Sequence, residues 1–469
     1  MDRDTRGLAR VIGVIGGGWA GCAAAVALAR DGFRVALFEA AAVPGGRART
    51  VIRDGLQLDN GEHLLLGAYR ETLALAALLH DGEREPSWRV EPLAIVPLAP
   101  TQRHALALRV RDVPASLGLV AGLLAASGLS TQDKIATSLW FARQRRAGFR
   151  CSASDSVADA LRALPSSVGN ALWAPLCLAA LNTPPARASA QVFLNVLREA
   201  FDGGRHASQL IVPRDGLGAV IPERAVRWLR AHGHDVHLSR KVSIADARDG
   251  VRLAHAGGES HVDAAVVAVG PHQLAATFDP TYAAGGTALS AALRCVEAFS
   301  FESITTVYAG YAGGVTLPRG LVRLDDAPGQ WVFDRGDILA RSTAAPANIA
   351  TLLSVVISGS GPHDHLSHGD LVTAIDAQLR RLSPHLPALC WSQVIAERRA
   401  TYACVPGLAH PPGGRVAPHL YLAGDYTFAA FPATLEAAVR SGNVAAAAVA
   451  ADLRATLGST LRPTLGPEQ

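Results

Sequence analysis

Short apolar runs bounded by glycine turns or acidic tips set the predicted elements of this 469-residue chain. Val11 to Ile15 is apolar throughout, as expected of a strand buried on both faces. It runs into Gly16-Gly17-Gly18-Trp19-Ala20-Gly21, and an Ala-rich helix is predicted from there to Arg30, stopped by Asp31-Gly32. A second apolar run, Phe33 to Phe38, ends on Glu39. Further on, Pro213 to Val242 reads as a glycine turn, an amphipathic helix and a strand, and Asp263 to Pro271 as a buried strand. Near the end, Leu420 to Ala423 is another apolar strand, with a helix predicted from about Pro432 through Val449. The stretch 76–209 has apolar residues at helical spacing. The stretch 276–394 alternates, as in Ser303 to Tyr311 and Ala350 to Gly359, and predicts an antiparallel sheet. The tail after about Leu457 is expected to be irregular.

The first glycine cluster carries chemistry. Within a strand–turn–helix–strand unit, G-x-G-x-x-G is a dinucleotide fingerprint. Gly16 permits the tight turn, Gly18 lets backbone approach a pyrophosphate, and Gly21 lets the helix pack on the strand. The helix N-terminus faces the phosphates. Glu39, 18 residues after Gly21, is placed to accept from ribose hydroxyls. At the other end, Asp425 follows Gly424 at a strand end, where a carboxylate can accept from a polyol hydroxyl.

Composition narrows the classes. The chain is 49% hydrophobic and 18% charged, which suits a large buried core. A net charge of +4 argues against nucleic acid as a partner. Six scattered cysteines (Cys22, Cys151, Cys177, Cys295, Cys390, Cys404) fit reduced thiols of a cytoplasmic protein. His363, His365 and His368 have metal-like spacing, but a Gly/Pro/Asp/Ser loop surrounds them and a solvated turn is expected, with no metal site. No signal peptide is evident, and no uncharged apolar run reaches the roughly 20 residues of a membrane span.

Pro44-Gly45-Gly46-Arg47-Ala48-Arg49 resembles the GGR loop of the flavin amine oxidase and phytoene desaturase superfamily, and Tyr421 to Gly442 resembles that superfamily's second FAD motif. The resemblance implies FAD as cofactor, with Arg47 near its pyrophosphate and backbone at Val242 near its adenine. The expected fold class is α/β: a Rossmann-type FAD-binding domain (1–75, 210–275 and 395–469) with an inserted α+β substrate domain (76–209 and 276–394).

Four segments resemble the hydroxysqualene dehydroxylase family more closely: Leu58 to Leu73, Ala180 to Phe201, Gln330 to Gly336 and Glu397 to Gly407. The family resemblance implies FAD-dependent reductive removal of a hydroxyl from a long polyprenyl alcohol in hopanoid precursor synthesis, with an external electron donor. It places Glu62, His63 and Tyr402 near the flavin as candidates to protonate the leaving hydroxyl. Glu62 departs from the glutamine expected of the family at that position. The rival readings are a carotenoid-type polyene desaturase, an amine oxidase and a non-catalytic flavin-bearing polyprenyl carrier. The amine oxidase is weakened because Gly270 to Gly310 holds no lysine and Phe431 replaces the superfamily's tyrosine. A lipid-soluble substrate also implies peripheral contact with the inner face of the cell membrane, for which Leu117 to Leu129 is the candidate surface.

Overall fold

The computed structural model describes residues 10–81, 87–101, 105–111, 113, 115–279, 282, 287–342 and 344–460. Among them, six strands form one sheet in the order Asp235–His237, Arg34–Phe38, Val11–Ile15, Ala264–Val267, Leu420–Leu422 and Gly414–Ala417. The first five are parallel, and the last pairs antiparallel at the edge. Both faces are covered, which is why its strands read as continuous apolar runs. Ile12, Val14, Val35, Leu37, Ala264 and Val266 pack on one face against the helices Trp19–Arg30, Pro222–Ala231 and Leu435–Thr460. Ile15, Ala36, Phe38, Ala265 and Val267 pack on the other, against Ile244, Val251, Leu253 and Val262 of a three-stranded antiparallel sheet. The first and last helices cross closely because Gly442 lacks a side chain: a Cβ there would lie 2.2 Å from the Ala20 carbonyl oxygen.

A second large sheet has the order Leu389–Tyr402, Phe301–Tyr311, Thr351–Ser358, Trp331–Asp334, Leu321–Arg323, Ala94–Pro97 and Leu108–Arg109. Its pairs are antiparallel except the parallel pair of Leu321–Arg323 with Ala94–Pro97. A helical layer built on Trp173, Phe193, Phe141 and Leu197 packs beside it, from helices that include Thr131–Arg146 and Ala190–Asp202.

The differences from the sequence reading are local. The stretch 76–209 is helical over most of its described length, yet it also contributes Trp88–Glu91, Ala94–Pro97 and Leu108–Arg109. The last two complete the sheet of the other stretch, a long-range pairing that outweighs local spacing. The strand Leu389–Tyr402 runs through position 395, so the boundary expected there falls inside one strand. The C-terminal helix starts at Leu435, where Thr434 Oγ1 accepts from Ala437 N at 3.2 Å, and continues to Thr460. Residues 461–469 of the expected irregular tail lie outside the described residues.

Candidate cofactor cleft and active site

The glycine turn, the GGR loop and the last strand enclose a cleft of about 520 Å³. Gly16 has φ +106°, and a Cβ there would lie 2.6 Å from the Ala268 carbonyl oxygen. Gly18 faces open space, its nearest neighbour for an added Cβ being Gly46 Cα at 3.9 Å. The helix beginning at Trp19 has no side-chain cap and no acidic residue in its first turn. Its first amides are donors suited to an anion. The GGR loop is pinned by Gly45 N donating to Gly17 O at 2.8 Å and Trp19 Nε1 donating to Ala48 O at 2.9 Å. Glu39 accepts from Gly17 N at 2.6 Å and Ala41 N at 2.7 Å, which fixes its carboxylate at the cleft wall with lone pairs to spare.

At the other end, Arg47 donates to Asp425 Oδ1 at 2.6 Å and to Ala400 O at 2.9 Å. Asp425 is buried, and Gly424 N donates to Ser441 Oγ at 2.9 Å. The cleft is lined by Gly16, Gly18, Glu39, Arg47, Val242, Gly424 and Asp425. Gly21 lies beneath it: a Cβ there would come within 1.9 Å of the Gly16 carbonyl oxygen, so its part is to let the helix sit under the turn. An uncapped helix N-terminus over bare glycine, a carboxylate at one end and an arginine–aspartate pair at the other fit a dinucleotide.

An apolar cavity of about 270 Å³ adjoins the cleft, walled by side chains such as Leu64, Leu176, Phe193, Leu197, Trp331 and Phe333. His63, Thr401, Ala433, Thr434 and Leu435 line both spaces and form their common wall. Glu62 also lines the cavity. Its Oε1 accepts from Arg335 Nη1 at 2.8 Å and its Oε2 from Ser354 Oγ at 2.9 Å. Burial pushes the Glu62 carboxyl above the usual carboxylate range, against the pull of Arg335. Burial lowers His63 below the ordinary histidine value, which favours a neutral imidazole.

Tyr402 is not brought to this wall. It is 1% exposed, packs against Phe299 and His410, donates to Phe431 O at 3.2 Å and lines neither space. In a strand neighbouring residues point to opposite faces, and its neighbour Thr401 takes the cavity side. Tyr402 therefore braces the Phe431 turn from behind.

The family described as flavin containing amine oxidoreductase matches residues 19–450. The chain belongs to this family. It is an FAD-dependent oxidoreductase. A protein of Rhodopseudomonas palustris named hydroxysqualene dehydroxylase is 31% identical, the match covering 96% of this chain and 100% of the relative. One of the same name from Sinorhizobium fredii is 30% identical over 92% and 96%. Among solved structures, an oxidoreductase from Methanosarcina mazei shares the fold with TM-score 0.70 at 16% identity, over 94% of this chain and 99% of that one. Cyclohexylamine oxidase from Brevibacterium oxydans gives 0.65 at 19% identity, over 95% and 100%.

Within this family frame, three features escaped the sequence reading. Arg335 sits in a segment that pointed to the family, but its contacts to Glu62 and Asp59 cross more than 270 residues of chain, and local pattern does not reveal them. Trp19 and the run Ala268 to Gly270 also line the cleft. The position of Trp19 inside the fingerprint was the available signal. Among the described residues no group of three or more His, Cys, Asp or Glu side chains could hold a metal ion.

Proposed function

We propose that this flavoenzyme removes the hydroxyl of hydroxysqualene reductively to give squalene, a precursor for hopanoids. The observation that carries the reading is the common wall: an apolar cavity meets the cofactor cleft at His63, with Glu62 next to it on the cavity side. The names of the relatives supply the substrate class. Bound and reduced, FAD would supply a hydride, restored by an external electron donor. The sum is R–OH plus hydride plus a proton to R–H plus water.

Gly16, Gly18, Glu39, Arg47, Val242, Gly424 and Asp425 hold the cofactor in this reading. The apolar wall admits the hydrocarbon and excludes water, which strengthens every polar interaction inside. Hydroxide leaves poorly from carbon, so a proton has to reach the departing oxygen. Glu62 is kept in a dry setting that favours its protonated form, and His63, kept neutral, orients the hydroxyl, serving as donor only if it first takes up a proton.

Single-turnover reoxidation of photoreduced holoenzyme by hydroxysqualene, without oxygen, tests this. The flavin spectrum should return to the oxidised form as squalene appears. A desaturase would instead reduce oxidised flavin with its substrate, and a carrier would change neither. Glu62→Gln or His63→Ala should slow the step roughly 100-fold or more if that residue is the acid, with FAD content intact. Wild-type rates in both variants would exclude the pair as proton source.

A further inference from the structure

Asp59, Arg335 and Glu62 form a buried cluster with side-chain exposures of 3%, 4% and 3%. Asp59 and Glu62 share one guanidinium: Arg335 Nη2 lies 3.3 Å from Asp59 Oδ2, and Nη1 lies 2.8 Å from Glu62 Oε1. The second oxygen of Asp59 accepts from Thr50 Oγ1 at 2.9 Å and from Leu217 N at 2.8 Å. The second oxygen of Glu62 meets Ser354 Oγ at 2.9 Å, a hydroxyl able to donate or accept. The other titratable groups around the cluster are His63, Tyr308, Glu223 and Asp337, with Arg47 beyond His63. Arg47 is matched by Asp425, and Tyr308 donates its hydroxyl to the Asp59 carbonyl oxygen at 3.0 Å.

Two carboxylates against one cation leave a surplus negative charge on side chains that are almost wholly buried. An uncompensated buried charge is costly, and a carboxyl relieves it by taking a proton. Asp59 has three donors and Glu62 has two, one of which can turn round and accept. The proton therefore belongs on Glu62, donated to Ser354 Oγ. Asp59 lines neither space, whereas Glu62 lines the apolar cavity.

We propose that Asp59 and Arg335 are positioning residues for Glu62 on the cavity wall beside His63: Asp59 keeps one proton on it, and Arg335 holds its carboxyl group in place and receives the anion once that proton has gone. The proposal rests on the reading above that the cavity takes an alcohol whose hydroxyl leaves as water. In the step, the Glu62 O–H bond breaks and its proton goes to the departing oxygen. The C–O electron pair leaves with that oxygen as water, and the hydride already named fills the carbon. Glu62 remains as a carboxylate on Arg335 until it regains a proton from solvent. Asp59 makes the proton stay before the step, and Arg335 stabilises the anion after it.

The two positioning residues carry opposite charge, so their loss should act in opposite directions. With a protonated carboxyl as the acid, the rate falls as pH rises through its titration. Asp59→Asn removes a neighbouring negative charge and should move this alkaline limb of single-turnover reoxidation to lower pH by about one unit or more. Arg335→Met removes the positive charge and should move it to higher pH, and Arg335→Lys should leave it near the wild-type position. The infrared carbonyl band of a protonated carboxyl in resting holoenzyme, read without substrate, should disappear in Glu62→Gln and Asp59→Asn and persist in Arg335→Met. Limbs that stay fixed or move the same way in Asp59→Asn and Arg335→Met, or a band unaffected by Glu62→Gln, would overturn the proposal. If hydroxysqualene fails to reoxidise even the wild type, the functional reading falls and the infrared comparison still decides where the proton sits.

Discussion

Gly18 and Gly21 stand three residues apart in one motif and should fail in different ways. Gly18→Leu meets no protein atom closer than 3.9 Å at its Cβ, so the chain should fold, but its side chain would occupy the cleft. The expected product is soluble, nearly colourless protein, checked by the ratio of flavin to protein absorbance. Gly21→Ala places a Cβ 1.9 Å from the Gly16 carbonyl oxygen and should lower Tm and yield before cofactor binding can be measured. A full flavin spectrum in Gly18→Leu would remove this loop from the cofactor site. These positions were legible because the fingerprint lies within a few residues of chain: contact with the turn holds Gly21 to glycine, and the room the cleft needs explains Gly18. The environment of Glu62 was not, because Ser354 reaches it from a strand and Arg335 from the start of a helix, both far along the sequence. Nor does a sequence tell on which side of a strand neighbouring residues fall, which is why Tyr402 was expected where Thr401 stands.

At the level of elements, the helix Arg70–Leu79 has no cap of its own, since Tyr69 precedes it. Glu436, from the first turn of the C-terminal helix, supplies it by accepting from Glu71 N at 3.2 Å, Thr72 N at 2.9 Å and Thr72 Oγ1 at 2.7 Å. The same carboxylate accepts from Arg440 Nε at 2.8 Å, and Arg440 lies 5.0 Å from the Phe431 ring centre. Glu436→Ala removes a cap and leaves Arg440 without its nearest carboxylate. It should cost about 2–4 kcal/mol, read as a drop in the chemical-denaturation midpoint. Glu436→Gln keeps the acceptor and should fall between that variant and wild type. The residue that secures the start of this helix lies at the other end of the chain, so no local pattern names it.

For the molecule as a whole, no helix among the described residues is long and apolar enough to cross a membrane. Two neighbouring helices nevertheless expose large apolar side chains: Leu117 and Leu124 on Ala115–Ala125, and Ile135 and Leu139 on Thr131–Arg146. Arg143, Arg145 and Arg146 close the second helix. Exposed apolar side chains with a basic helix end would suit the interface of an anionic bilayer. Holoenzyme should float with anionic vesicles at low salt and release as salt rises. Leu117→Glu combined with Leu124→Glu should lose flotation while keeping bound flavin. Protein that stays in the soluble fraction with anionic vesicles at low salt would exclude this surface. The sequence pointed to this stretch through its length of apolar residues. It did not show that one side of the helix would be buried on Leu119 and Leu123 while Leu117 and Leu124 face outward.

The interleaving of the parallel sheet has a consequence for how the protein is made. Val11–Ile15 needs Ala264–Val267 beside it, and Val11 N is satisfied by Asp263 Oδ2 across 252 residues. At roughly 5–20 residues per second the ribosome takes roughly 10–50 s to deliver that partner. Leu420–Leu422, the next strand of the sheet, arrives later still. Throughout that interval the emerged N-terminal strand–helix–strand unit exposes an unpaired, wholly apolar strand edge, the kind of surface on which nascent chains stick to one another. Newly made chains should therefore depend on holding factors at the ribosome, and cells short of them should accumulate this protein as insoluble, flavin-free chains.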